Sequence, residues 1–418
     1  MIDSLAGKKH PAQAICKAGE PDSGGAMFER SYVQTVANRL QEPRTLIQII
    51  MGPRQTGKST SAAQVLSHLD LPSVEYSFDR PRDRNLAKLE EVWSHARRTA
   101  SHSGSTILLL DELQNIPQWS SGVKSLWDED TRQNRDVRVL ITGSSALMLK
   151  SRLAESLMGR FEVTYSTHWD LWECMQAFDY TLDDFLYFGG YPGAAPRRTD
   201  ETRWFDYLTN SIIEPTLNKD ALELEPIRKP ALLRALFELG AAFSGQEISY
   251  RKLLGQLDDR GNTETMAHYL ELLSEAGLLS GLKKFSPRLL ETKTSSPRML
   301  VHDTSLMVAA SGEDRSALLG NPDRYGHLVE SAIGAYLLAR SRKEHFDLFW
   351  WRDGSAEVDF VIRKGRRRTA LEVKSGRPKR TKGLGAFVNR YPGTYGLIID
   401  SAEFPVEDFL LGKVPLFQ

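Results

Sequence analysis

Cysteine is nearly missing from this chain. Among 418 residues only Cys16 and Cys174 occur. They lie far apart, with no zinc-type spacing and no disulfide framework, so a reducing cytoplasmic setting is expected. Long apolar runs are missing too: none approaches the ~20 residues that a membrane helix needs. The first residues show no apolar core behind their charges, which argues against a signal peptide. An excess of charge of either sign is also absent, because Lys+Arg and Asp+Glu balance at 54 each. A nucleic-acid partner would therefore need a local basic patch. No internal repeat or extended low-complexity segment is visible.

What is present is ordinary globular material. Hydrophobic residues at 41% and charged residues at 26% fit a folded chain with a sizeable core. The length predicts two or three domains. Residues 1–26, rich in Gly, Pro, Lys and Ser, read as a flexible tail, with folded structure starting near Met27.

From Thr45 to Thr142 short apolar runs alternate with helical spacing. "TLIQIIM" (45–51), "SVEYSFD" (73–79), "TILLLDE" (106–112) and "VRVLITG" (137–143) read as buried strands. Strands alternating with helices predict an α/β fold with a parallel, doubly wound sheet. From Ser151 to about Arg288 the pattern turns helical. It includes "SRLAESLMGRF" (151–161), "SYRKLLGQL" (249–257) and a helix capped by Asn262 or Thr263, followed by an apolar hairpin. That order predicts a winged-helix-like region. From Arg298 strands return behind a helix at 325–342, as a further α/β module. The expected division is 27–200 for the first domain with a small helical lid, 201–290 for the helical region and 291–418 for the last domain.

"GPRQTGKST" matches G-x-x-x-x-G-K-[ST] from Gly52 to Ser59, between a strand and a helix. The pattern predicts ATP binding by Gly52, Pro53, Arg54, Gln55, Thr56, Gly57, Lys58, Ser59 and Thr60. Glycines let backbone N–H groups wrap phosphates, and the helix N-terminus adds partial positive charge. Lys58 would reach the β- and γ-phosphates, and Ser59 would supply a hydroxyl to Mg²⁺. "TILLLDELQ" carries Asp111 and Glu112 to the carboxyl end of a buried strand, where ligands sit in parallel sheets. Asp111 would hold Mg²⁺ and Glu112 would orient the attacking water. Thr142, Ser144 or Ser145 could sense the γ-phosphate, and spacing alone does not select among them.

These stretches, together with "ESLMGRF", "FGGYP", "GHLVES" and "AEVDFVI…ALEVKSG", resemble the AAA+ ATPases followed by a C-terminal domain of unknown function. The resemblance runs from about Met27 to the C-terminus. It implies an AAA+ fold, ATP and Mg²⁺ as cofactors, and a homo-oligomeric ring with a hexamer as the expected state. It also makes Arg160, in "MGRF", the candidate arginine finger acting on a neighbouring subunit.

The last module carries a second constellation. Alternation puts Glu357 and Asp359 on one face of a strand, and Glu372 and Lys374 on one face of the next. Asp359 followed by Glu372-x-Lys374 resembles the PD-(D/E)XK nuclease core, with Glu330 on the preceding helix as its additional acid. Hard oxygen ligands of this kind suit Mg²⁺. The flanking basic turns 363–368 and 377–382 could hold phosphates or be solvated loops. The functional expectation is an ATPase that acts on DNA as a motor or remodeller, with a nuclease-like domain for contact or cleavage. The alternative is a nucleotide-dependent switch with a protein partner and a silent C-terminal domain. The acidic helix "NTETMAHYLELLSEAG", with Glu264, Glu271 and Glu275, argues against direct DNA docking there.

Overall fold

The computed structural model describes residues 27–143, 156–220, 227, 229–249, 252–253, 255, 262–287, 296–374, 382–400 and 403–418. Ser144, Ser145, most of the expected helix 249–257 and the basic turn 377–381 lie outside the described residues.

The first unit is a five-stranded parallel sheet in the order β2-β3-β4-β1-β5. Its strands are β1 (Ile47–Met51), β2 (Ser73–Ser77), β3 (Thr106–Asp111), β4 (Val137–Gly143) and β5 (Phe161–Tyr165). Every residue of β1, "IQIIM", is buried, as expected for a strand covered on both faces. Helices α1 (Tyr32–Gln41) and α2 (Lys58–Ser67) pack on one face. Helices α3 (Leu86–Ser103) and α4 (Trp119–Arg132) cover the other, around Trp93 and Trp119. Asn85 caps α3 by accepting from the Lys88 N–H, and Gly104 ends it at φ 85°.

β5 was not expected, because its residues fall where the sequence reads as helical. All five residues of "FEVTY" are half-buried; Phe161, Val163 and Tyr165 alternate with Glu162 and Thr164 and pack on the same core cluster, but the strand follows directly on a stretch with helical spacing. It pairs parallel to β1, from Ile47 opposite Phe161 to Met51 opposite Tyr165.

The middle of the chain is helical: α5 (Leu171–Phe178), α6 (Leu182–Phe188), α7 (Glu201–Tyr207), α8 (Pro230–Ala242) and α9 (Thr263–Glu275). Asn262 is the cap of α9, accepting from the Glu264 N–H. Then β6 (Leu279–Lys284) and β7 (Arg298–Val301) form an antiparallel pair. The expected boundary at residue 290 falls inside the connection of this hairpin.

Helices α10 (Thr304–Ser311), α11 (Arg315–Gly320) and α12 (Pro322–Glu344) lead to β8 (Asp347–Asp353), β9 (Ala356–Lys364) and β10 (Arg367–Val373). Then follow α13 (Lys382–Arg390), β11 (Thr394–Ile399) and α14 (Val406–Leu410). The sheet is mixed, in the order β11-β10-β9-β8-β6-β7. β10 runs parallel to β11, β9 is antiparallel to both β8 and β10, and β6 joins β8 through Lys283 and Lys284. The β6–β7 hairpin thus extends the C-terminal sheet. Val329, Ile333 and Trp350 fill one face of it; Phe285, Trp351 and Phe387 fill the other.

Candidate functional site

The phosphate-loop residues lie where β1 ends and α2 begins. Gly52 is required by close approach: a Cβ there would meet the Ser166 carbonyl oxygen at 1.9 Å. Gly57 stands at φ 86°, the left-handed turn into α2 that glycine adopts without strain. Thr56 is buried and donates to the Pro53 carbonyl at 3.0 Å. Its own carbonyl accepts from the Trp169 indole N–H at 3.1 Å. Lys58 is 6% exposed and its Nζ donates to the Pro53 carbonyl at 2.5 Å. Arg54 is half-buried, and Gln55 and Thr60 are exposed on the outer side of the loop.

Strand order then brings the acids to the loop. β4 lies between β1 and β3, and register sets Asp111 beside Thr142 and Met51 beside Gly143. Asp111 accepts from the Ser59 hydroxyl at 3.1 Å and from the buried Thr142 hydroxyl. Burial pushes the Asp111 carboxyl above its ordinary value, and the two hydroxyls oppose that. Of the three polar residues considered at the end of β4, Thr142 is the one among the described residues, and it faces Asp111. Glu112 follows at φ 52°, with its N–H on the Thr142 carbonyl at 3.1 Å. Its carboxylate accepts from the Gln114 side-chain amide. Ser59 and Asp111 are adjacent hard oxygen donors, so the residues fit a Mg²⁺ ion.

The C-terminal acids also come together, but around a side chain that sequence reasoning missed. Arg298, at the start of β7, is 4% exposed. Its Nη2 meets Glu330 of α12 and lies 3.5 Å from Asp359 of β9. Its Nη1 lies 3.4 Å from Glu357. Asp359 accepts the Val373 N–H at 2.8 Å. Glu372, 7% exposed, pairs through Oε1 with Lys374 at 2.6 Å. Among the described residues no group of three or more His, Cys, Asp or Glu is set to hold a metal ion. Burial, with Asp359 and Glu357 nearby, pushes Glu330 up to about 8 against the pull of Arg298.

Comparison with known proteins fits the loop geometry. A family described as an AAA domain matches residues 44–174. Two domains of unknown function, DUF8612 and DUF4143, match residues 179–317 and 325–408. The chain carries a P-loop AAA domain. Over 336 residues it is 25% identical to an uncharacterized protein of Methanocaldococcus jannaschii, covering 76% of this chain and 72% of that one. An uncharacterized protein of Mycobacterium tuberculosis is 26% identical over 336 residues, covering 79% and 70%. Among solved structures, RuvB of Thermotoga maritima is 16% identical with a TM-score of 0.33, over 61% of this chain and 86% of that one. Orc1 of Aeropyrum pernix in complex with DNA is 13% identical with a TM-score of 0.29, over 69% and 93%.

Arg160 stands apart from the AAA phosphate loop. Its carbonyl accepts from the Ile47 N–H, at the amino end of β1, whereas the loop leaves the carboxyl end. Its guanidinium forks onto Asp128 of α4 at 2.8 and 3.1 Å. Within its own subunit it does not face the phosphate site. A finger role would require a neighbouring copy and release from Asp128.

Residues beyond the loop brace the AAA site, and sequence spacing did not reveal them. Arg30 donates to both oxygens of Glu173 at 2.8 Å and reaches Ser166 and the Thr167 carbonyl. The Trp169 N–H donates to the Gly190 carbonyl, and the Gly190 N–H to Asp303 at 2.6 Å. This places "FGGYP" and Asp303 directly behind the phosphate loop. His168 and His302 sit in the same layer, ring centroids 6.4 Å apart.

His302 is buried and His168 half-buried with its Nε2 shielded, and both settings favour the neutral ring. Burial pushes His168 down to about 3, helped by the positive charges of Arg342, Arg30 and Lys58. Burial and the Arg342 charge push His302 well below its ordinary value. Below pH ~6.5 the unfolded chain takes up protons that the folded chain refuses. Their contribution is therefore present above that pH and lost as pH falls. Stability should drop by roughly 1.4 kcal/mol for each histidine between pH 7.5 and 5.5. Urea unfolding at both pH values tests this, and His168→Asn should remove about half of the pH-dependent loss.

Proposed function

We propose that the chain is a Mg²⁺-dependent ATPase that hydrolyses ATP to ADP and phosphate and passes its nucleotide state to the β6–β7 hairpin. The observation that supports this most is the meeting of Lys58, Ser59, Asp111 and Thr142 at one edge of the parallel sheet. Lys58 exchanges the Pro53 carbonyl for phosphate oxygens as its partner. The amides at the start of α2 hold the phosphates. Glu112, set by Gln114, orients water for attack on the γ-phosphate. Thr142 keeps the Asp111 carboxylate turned toward Ser59. Bound Mg²⁺ would neutralise charge developing on the phosphate oxygens.

The route to the hairpin begins at Pro53. A Cβ on Gly277, in the turn before β6, would meet Pro53 Cγ at 2.3 Å, so that turn rests directly on the phosphate loop. A shift of the loop therefore bears on β6 and on the sheet it joins.

Two partner classes follow. A DNA-acting motor is favoured by the basic β9–β10 turn, where Arg366 and Arg367 are exposed. A switch with a protein partner and a silent C-terminal domain is favoured by Arg298 among the C-terminal acids. It is also favoured by the exposed Glu264 and Glu271 of α9. Steady-state phosphate release, with and without Mg²⁺ and with single-stranded, duplex and branched DNA, tests both. The expected result is Mg²⁺-dependent turnover. Stimulation by one DNA form selects the motor; equal rates throughout select the switch. Absence of turnover under every condition would end the ATPase reading.

A further inference from the structure

We propose that Arg298 is a built-in cation of the C-terminal acid cluster, filling the place a divalent metal would take among Glu330, Glu357 and Asp359 and closing it to metal while β7 is docked. The inference rests on side-chain geometry in the C-terminal sheet and not on ATP hydrolysis.

Three features carry it. First, the guanidinium is fully engaged. Its Nε donates to the Gly245 carbonyl at 2.6 Å, its Nη1 to the Asp359 carbonyl at 3.3 Å, and its remaining donors face the three carboxylates. A planar, permanently charged fork is suited to several carboxylates at once, and it does not release its charge by losing a proton. Second, the flanking carboxylates have side-chain cations of their own. Arg352 holds Glu357 at 2.5 Å, and Lys374 holds Glu372 at 2.6 Å. Third, the pocket retains unused acceptor capacity. The second oxygen of Glu372 is buried and meets no hydrogen-bond partner among the described residues. Glu372 is next to Val373, whose N–H binds Asp359. These carboxylates could ligate a metal, but the position between them is taken.

Arg298 is also delivered from outside the αβββαβ segment formed by α12 to β11. It belongs to β7, an edge strand that pairs with β6 and hydrogen-bonds to the 244–248 segment, with the Gly245 N–H on the Met299 carbonyl at 2.8 Å and the Met299 N–H on the Gln246 carbonyl at 3.0 Å. The plug is therefore carried by a hairpin outside that segment, joined to it through the pairing of Lys283 and Lys284 with β8.

Mn²⁺ binding to the metal-stripped full chain tests the proposal, by titration calorimetry or by the loss of the free-ion paramagnetic signal. Wild type and Asp359→Asn should bind equally, whatever the phosphate loop contributes. Arg298→Gln should gain a site with at least about tenfold tighter binding than wild type shows there. Adding Asp359→Asn to Arg298→Gln should abolish the gain. Folding of each variant is checked by its circular dichroism and unfolding transition, with Arg298→Lys as a second replacement. Wild-type Mn²⁺ binding that falls in Asp359→Asn overturns the proposal. So does a folded Arg298→Gln chain with no added site. If no replacement of Arg298 folds, the comparison of wild type with Asp359→Asn still tests the closed state, and a difference in their Mn²⁺ binding removes the plug.

Discussion

Lys58→Ala should lower ATP turnover by at least about 10²–10³-fold, the loss typical of removing one donor aimed at developing charge. Lys58 is buried beneath the phosphate loop, with its ammonium on the Pro53 carbonyl. Nucleotide affinity should fall with it, since the same ammonium holds the phosphates before and during transfer. Glu112→Gln should behave differently. It keeps the size and one oxygen of the side chain, so ATP still binds. Turnover should drop by about 10²–10⁴-fold, the usual contribution of a positioned proton acceptor. Phosphate release and binding of a fluorescent ATP analogue separate the two. A Glu112→Gln chain that turns over at the wild-type rate would remove that residue from the chemistry.

The second large effect concerns stability. Glu173→Gln should destabilise the chain by about 3–5 kcal/mol, because it leaves the Arg30 charge buried without its counter-charge. The two side chains are 2% and 6% exposed, so water cannot repair the loss. The substitution is specific to charge. Glu173 also accepts the Asp170 N–H in the capping box of α5, and glutamine serves that role as well. Replacing both partners by apolar residues, Arg30→Met with Glu173→Leu, should cost much less than Glu173→Gln. Urea unfolding of the three chains measures this. A loss under about 1 kcal/mol in Glu173→Gln would show that the brace is not set by the ion pair.

The phosphate loop was legible because its physics is local. Strand, glycine turn, lysine and helix are contiguous, and their order constrains the geometry. Asp111 was legible for the same reason, as the polar end of an apolar strand. Arg30 was not: its partner Glu173 lies 143 residues away, and a lone arginine before a helix carries no periodic signal. Arg298 escaped similarly. Glu330, Asp359 and Glu372 could be grouped by analogy and alternation, but nothing in the local stretch "SPRMLV" says that its guanidinium crosses to α12 and β9. β5 was missed although Phe161, Val163 and Tyr165 alternate with Glu162 and Thr164, because five residues are a short signal beside the helical spacing of the stretch before them. Ion pairs between distant segments and edge strands of mixed polarity are set by tertiary packing, which sequence patterns sample poorly.

The seat of Gly277 on Pro53 has a consequence for inheritance. The outer wall of the nucleotide loop is supplied by residues far downstream of the AAA segment, with Gly277 against Pro53 and Gly190 behind Trp169. A fragment cut after residue 174 would strip that wall and bare apolar surface beside its own active loop. The AAA segment of this chain is thus an unfinished part. Recombination that moved it alone would transfer the motif without the surface that shelters it.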